Sequence, residues 1–498
     1  MKTTHLKLIG LFLGLQSTMG MAQNITTMGV GNYGAVHALH LNPSLSGYSA
    51  YKWQINLAGL WVNVNNNYLT LKLPYSAYRT INNNIPVAYQ TESGNARFDR
   101  LWLTERLNGR NKQVSVASDV YGPSASVQIK TWRFGLVTSA HAGARVANMP
   151  ENFAHALNKD LDSSQGAFSL FRTLAQGGAN TINEFAVVGT SRIAAGINVA
   201  KVIQLDWKRQ LILGATLKKN WGMPGFYLHN SGLKLTTINA DSVVFQPAKM
   251  QLVTYGDQVG KGMGLDIGAT YVFNKKDTKR NGAYRKNQTL YLGKFGFSIM
   301  DIGKITYQNA TYNEVVVTQP VGINVNSSFR NTIAGSTNYQ AMADSFFNRF
   351  GTYQSYKGTY AVGLPTRLVL TADFQIKKHL FVAGVLTQSL RRKLSNNARY
   401  QSALMVAPRL EYRFFEFSMP VLLQYDYRAL RVGSAVRLGP LYFGTNSLMS
   451  FAYTKSVRDA DFFIGVAFGN LPDFSFWKEW KKKKAARFNN NQGCFNTF

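Results

Sequence analysis

Ser139 and His141 stand two positions apart in "LVTSAHAGA", the spacing that puts two side chains on one face of a β-strand. A serine nucleophile needs a base within hydrogen-bond reach and a third group to orient that base. The sequence shows neither contact, and a buried or rim histidine is the commoner reading of such a pair. His37 and His40 are three apart in "VHALHLNPS" and would share a helical face as metal ligands. No carboxylate or cysteine accompanies them at ligand spacing, so no metal site is expected. Asp160 and Asp162 read as a solvated loop. Cys494 is the one cysteine of the chain, which excludes an intrachain disulfide and leaves a thiol free to pair with another chain.

"GKGMGLDIGATYVF", residues 260–273, raises a different chemistry, because closely spaced glycines can cradle a phosphate. A phosphate-binding loop requires Lys followed by Ser or Thr after its last glycine, and a dinucleotide fingerprint requires a helix after its glycines. Here Lys261 precedes Gly262. Met263, Leu265, Ile267, Ala269, Tyr271 and Phe273 alternate instead with Gly262, Gly264, Asp266, Gly268, Thr270 and Val272. That is period two, and it predicts a strand.

The same alternation recurs along the chain. Leu368, Leu370, Ala372, Phe374 and Ile376 oppose Arg367, Thr371, Asp373 and Gln375. Leu410, Tyr412 and Phe414 oppose Arg409, Glu411 and Arg413, while Val421, Leu423, Tyr425 and Tyr427 oppose Gln424, Asp426 and Arg428. Val432, Val436 and Leu438 oppose Arg431, Gly433, Ala435 and Arg437, and Phe462, Ile464, Val466 and Phe468 end the series. The polar faces hold Gly, Ala, Ser and mixed Arg and carboxylate, as in a crowded lumen rather than a face turned to bulk water. Trp53, Trp61, Tyr68, Tyr271, Tyr425, Tyr427 and Tyr442 fall near predicted strand ends and suit interfacial girdles. About 14 strands are expected between residues 51 and 470, a number that leaves a bore wide enough for a plug or a channel. Helical spacing over 149–178 and 338–350 predicts insertions that cap a mouth or fold inward.

Composition narrows the class. Lys2 and Lys7 flank the apolar "LIGLFLGL", and "GMAQ" offers cleavage after Ala22, so residues 1–22 read as a secretory signal peptide. No apolar run reaches the roughly 18 residues of a spanning helix. The rest is rich in aromatics (13 %) and glycine (43 residues) without a disulfide framework, a pattern that fits an outer-membrane β-barrel. The net charge of +31 would suggest nucleic acid in a cytoplasmic protein. In an exported chain the anions to consider are lipopolysaccharide phosphates, phospholipid headgroups, the cell wall or an acidic solute, and no nucleic-acid partner is expected.

Two charged sets stand out. Arg409, Glu411, Arg413, Asp426, Arg428, Arg431 and Arg437 are expected on one luminal face, either as an ion-pair network that fills the wall or as an anion-attracting constriction. Trp477, Trp480, Lys481, Lys482, Lys483 and Lys484 lie in a basic tail beyond the last strand, expected on the periplasmic side against headgroups, peptidoglycan or an acidic protein partner. The expected divisions are the signal peptide (1–22), a plug-like segment (23–50), the barrel (51–470) and the tail (471–498).

Four stretches together carry a resemblance: "VHALHLNPS", "LNGRNKQVSVASDVYGPSASVQI", "GKGMGLDIGATYVF" and residues 407–450. They resemble a Bacteroidota family of outer-membrane proteins of unknown function. More distantly they are similar to the long-chain fatty-acid transporter barrels and the barrel subunits of the type IX secretion system. The resemblance implies a barrel of about 14 strands with an N-terminal segment in its lumen, and it implies no ligand, cofactor or catalytic residue. The expected function is binding or passage of a hydrophobic or anionic solute through a plugged lumen in the outer membrane. A scaffold for envelope or type IX secretion components is the alternative, and a lipid hydrolase or acyltransferase a remote one. An enzyme is not the expectation.

Overall fold

The computed structural model describes residues 26–469 apart from 77–78, 80–83, 92–98, 163–179, 183, 207, 240–241, 246, 275–290, 318–319, 325–351 and 449–455. The signal peptide, the basic tail with Trp477 to Lys484, Cys494 and the helix expected over 338–350 lie outside the described residues. The chain forms a closed, antiparallel barrel of 14 strands. In order they are β1 (Trp53–Asn66), β2 (Lys112–Tyr121, continued by Ser124–Ile129), β3 (Trp132–Met149), β4 (Phe185–Gln204) and β5 (Arg209–Asn230). Next come β6 (Ala248–Tyr255, continued by Gly260–Asn274), β7 (Tyr291–Val317), β8 (Thr352–Gly363, continued by Arg367–Gln375), β9 (Leu380–Ser389) and β10 (Ala403–Glu411). The last are β11 (Phe415–Ser418, continued by Val421–Gln424), β12 (Ala429–Val432, continued by Ser434–Leu438), β13 (Leu441–Thr445) and β14 (Asp459–Gly469). Closure is made by β1, which pairs with β2 on one side and with β14 on the other, Gln54 opposite Gly469 and Asn65 opposite Asp459.

Alternation decides which face looks out. On β4, β5 and β6, Ile197, Leu217 and Leu265 are exposed, whereas their neighbours Asn198, Thr216 and Asp266 are fully buried. A soluble protein does not expose so continuous an apolar belt, while lipid accepts it and a closed ladder leaves no unpaired edge in it. No helix among the described residues is long and apolar enough to cross a membrane.

The connections differ at the two ends. At one end most links are short, such as 130–131, 376–379, 412–414 and 439–440, and β1 begins and β14 ends there. At the other end they are long except for the turn 425–428 between β11 and β12, and residues from them form two small sheets beyond the barrel, one of four strands and one of three. The helix Glu151–Asp162 stands at this end. It falls within the helical stretch expected over 149–178, and it corrects the reading of Asp160 and Asp162 as a loop.

Two irregularities reshape the wall. In β2 the ladder breaks at Gly122 and Pro123, since proline has no N–H to donate. Between β6 and β7 the register slips from Leu265/Ile302 to Ile267/Ile299, and Asp301 takes a left-handed φ of 56°. This bulge turns consecutive residues, Met300 and Asp301, both inward.

The aromatic girdle is corrected in part. Trp53 and Tyr427 are exposed, but Trp61, Tyr68, Tyr425 and Tyr442 are buried. Each finds a polar partner there: Trp61 Nε1 donates to Asp461 at 3.0 Å, the Tyr442 hydroxyl to Asn56 at 3.2 Å, and the Tyr68 hydroxyl to the Ala154 carbonyl at 2.9 Å. Asn63 donates to the Tyr425 hydroxyl at 3.4 Å.

Candidate functional site

The lumen is occupied by the chain's own N-terminal segment. From Thr26 to Tyr51 it runs through a short helix, Thr26–Val30, and two tight helical turns, His37–His40 and Leu45–Gly47. Nearly all of it is buried. Gly268 of the β6 stretch now has a role. A side chain at Gly268 would begin 2.1 Å from Asn42 Oδ1, one at Gly214 2.6 Å from the Pro43 and Ser44 backbone, and one at Gly296 2.9 Å from Asn42 Nδ2. Three neighbouring strands therefore lack side chains where Asn42, Pro43 and Ser44 sit. They cradle a peptide, not a phosphate.

Polar side chains of the wall satisfy the irregular backbone of the segment, as a buried loop requires. Lys294 donates to the Val30 carbonyl at 2.9 Å, Arg367 to that of His40 at 2.9 Å, Ser298 to that of Leu41 at 3.0 Å and Arg133 to that of Tyr51 at 2.8 Å. Asn42 donates to the carbonyls of Ala269 and Phe297 at 3.4 and 3.3 Å, and Ser44 Oγ lies 2.6 Å from Thr270 Oγ1. His37 packs edge-on against Tyr442 and His40 against Tyr121, at 4.5 and 4.6 Å between ring centres. Burial, followed by the Arg437 charge, drives the His37 imidazole from its ordinary 6.5 to about 4. His40 is held well below 6.5 by burial and then by Lys218. Both rings are neutral at neutral pH. No group of three or more His, Cys, Asp or Glu that could hold a metal stands among the described residues.

The seven residues expected as one luminal cluster separate into two regions. Arg409, Glu411 and Arg437 meet under the segment. Arg409 reaches Glu411 at 2.8 Å and Asp373 at 3.0 Å, Arg437 reaches Glu416 at 3.2 Å, and Lys294 reaches Asp373 at 3.3 Å. Asn32 of the segment donates to Glu411 at 2.7 Å. Three cations face three carboxylates here, so this part of the lumen carries no surplus charge. Arg413 falls in the short turn after β10. At the opposite end, Asp426 and Arg428 belong to the turn between β11 and β12 rather than to a strand, where Tyr425, Asp426 and Tyr427 all take positive φ. Three consecutive left-handed residues break the period-two pattern that placed them on one face. Asp426 meets Arg399 at 2.6 Å and Lys393 at 3.0 Å, Arg431 meets Asp459, and Arg428 is exposed. Nearby, Arg145 of β3 donates to the carbonyls of Lys393, Ser395 and Asn397, holding the loop after β9 across the mouth.

A third polar group sits at mid-height on β2 to β8. Lys218 bridges Asp266 at 2.7 Å and Asp301 at 2.9 Å, and Arg367 reaches Asp301 at 2.9 Å. Arg192 is the loosest member, 3.7 Å from Asp301, and its Nη1 is buried with no hydrogen-bond partner among the described residues. Directly opposite Arg192 on β3 stands His141, and opposite that on β2 stands Asp119. Ser139 Oγ lies 2.9 Å from His141 Nε2, and His141 Nδ1 lies 2.7 Å from Asp119 Oδ1. Sequence reasoning named Ser139 and His141 but not Asp119, which alternation in "SVASDVY" turns to the same face. It also missed Asp301, because a bulge cannot be read from parity.

Solved structures similar in fold include the toluene transporter TodX of Pseudomonas putida, at 10 % identity and a TM-score of 0.40 over 90 % of this chain and 97 % of that one. A FadL homologue of Pseudomonas aeruginosa aligns at 12 % identity and a TM-score of 0.35 over 87 % and 94 %. The monoaromatic hydrocarbon channel CymD aligns at 10 % identity and 0.37 over 90 % and 100 %. No curated protein matches the chain by sequence. Residues 43–446, most of the barrel and the Asn42-Pro43 cradle's second residue onward, match one family, and the chain belongs to it: DUF5723, a family of unknown function.

Proposed function

We propose that this protein resides in the outer membrane of a Gram-negative envelope, among its lipids and lipopolysaccharide, and passes a hydrophobic solute along the inner wall of a barrel that its N-terminal segment closes at rest. The observation that carries this reading is an apolar strip on β8 to β11. Val369, Ala383, Val385, Met405, Ala407 and Leu422 line it, and Val30, Ala38, Leu41 and Leu45 of the segment cover it. When the segment leaves, the strip becomes a path that water wets poorly and an apolar solute fills. The balanced charges around Arg409 favour a hydrophobic solute over an anionic one. The short-turn end is periplasmic and the long-loop end external, as in other outer-membrane barrels.

The test uses Gly268→Val, whose side chain cannot coexist with Asn42 in its present place. In planar bilayers the native protein is expected to pass little current and the variant several-fold more. Vesicles holding the variant are expected to take up an apolar fluorescent dye faster, and Val385→Glu added to it should slow dye uptake while leaving current. A folded, inserted Gly268→Val barrel that is silent to both ions and dye would favour the scaffold reading instead.

A further inference from the structure

We propose that Ser139, His141 and Asp119 form a nucleophilic relay on the inner wall that cleaves a carboxylic ester with an apolar acyl group. This goes beyond passage of a solute, and it rests on four observations.

The first is connectivity. Asp119 is fully buried and, as an ionised carboxylate, only accepts hydrogen bonds. The proton in its 2.7 Å contact with His141 therefore sits on Nδ1. That leaves the Nε2 lone pair directed at Ser139 Oγ, 2.9 Å away, which is the tautomer a general base requires. The second is the opposite flank. Arg192, cross-strand from His141, has a buried Nη1 without a partner and belongs to a set of three cations (Lys218, Arg192, Arg367) around two carboxylates (Asp266, Asp301). Ser139 stands two residues along β3 from His141, opposite Ala194, so this unpaired Nη1 is the buried positive donor within diagonal reach of an oxyanion formed there.

The third is the adjoining wall. Tyr121 donates to Asp119 Oδ2 at 3.3 Å, and its ring belongs to a buried apolar group with Trp61, Tyr442 and Phe463, a surface on which an acyl chain lies. The fourth is water. A cavity of about 60 Å³ is lined by Ala117 and Gly143, two positions along from Asp119 and His141, which is room for several waters.

The step balances without a further co-reactant. Ser139 Oγ adds to the ester carbonyl carbon while its proton passes to His141 Nε2, and the oxyanion faces Arg192. Collapse breaks the bond to the alkoxy oxygen, which leaves as the alcohol with that proton. Water then adds to the acyl-serine by the same proton route and releases the carboxylic acid. Asp119 is a positioning residue that fixes the imidazole.

In the resting barrel the N-terminal segment covers this place. Met28 packs among Trp61, Tyr121 and Phe463, and His40 lies against Tyr121. The relay is therefore expected to work when the segment is unseated. The full chain, folded in detergent, is treated with a fluorophosphonate and the adduct mapped by mass spectrometry, alongside hydrolysis of p-nitrophenyl butyrate. Labelling of Ser139 is expected in the native protein and at least about tenfold faster in Gly268→Val. In that background Ser139→Ala should abolish hydrolysis. Asp119→Asn should lower its rate at neutral pH by about a hundredfold or more, with hydrolysis partly regained at high pH, whereas a merely structural Asp119 would change folding and not the pH profile. Absence of a Ser139 adduct in a folded Gly268→Val barrel whose segment has become protease-accessible would overturn the relay. Because detergent removes passage from the assay, labelling without dye uptake sinks only the transport reading, and dye uptake without labelling sinks only the relay.

Discussion

His37 shows how a single buried group ties the segment to its surroundings. It is buried against the Tyr442 ring and lines a small cavity with Met28, Tyr33, Tyr51, Glu416 and Arg437, and Glu416 is already engaged by Arg437. The seated imidazole titrates at about 4 against an ordinary 6.5, so the released segment binds the proton first. The contribution of His37 to seating is fully present above 6.5 and is lost as the pH falls towards 4, by at most about 3 kcal/mol. Proteolysis of the segment in the intact barrel should accelerate between pH 7 and pH 4.5, and His37→Phe should flatten that dependence. A native barrel with equal cleavage at both values would show that the ring is not enclosed as described.

At the scale of the element, parity tells which strand positions face lipid, but not whether the opposite face is open. Ala435 is luminal as alternation requires, yet it packs with Met28, Trp61, Tyr121 and Phe463, so a charge placed there meets a filled interior. Ser115 on β2 faces a cavity and accepts from Gln401 at 3.2 Å. Leu217 on β5 is 56 % exposed on the outer face between Ile197 and Leu265. Leu217→Arg should cost about 2–4 kcal/mol if it lies near the bilayer midplane, whereas Ser115→Lys should cost much less. Urea titration of both variants refolded into lipid vesicles measures the difference. Equal losses would mean that the assigned faces are wrong.

For the molecule as a whole, closure is the decisive property. The β1 to β14 ladder leaves no free edge, and the segment, the Arg409 network and the Arg145 clamp tie distant strands together. Such a barrel resists detergent until heated. The protein should fractionate with the outer membrane and migrate faster on a gel when unheated than when boiled. Recovery as a soluble monomer with no heat-dependent shift would contradict a lipid-embedded barrel.

The sequence by itself determined the barrel, because an outward apolar belt and an inward polar face impose a period of two on every spanning strand. It also placed Ser139 and His141 together, since residues two apart on one strand must share a face. What it left undecided depends on contacts between strands far apart in the chain. Asp119 joins His141 only through the β2–β3 register, and Glu416 and Asp373 reach Arg409 only once β8, β10 and β11 curve around one lumen. Asp301 turns inward through a bulge, and Asp426 and Arg428 leave the strand through left-handed turn residues, so parity fails at all three. Gly268 of β6 follows the same division. Alternation put it on a strand, but only the tertiary structure showed what its missing side chain is for, because Asn42 arrives from more than two hundred residues away to fill the space.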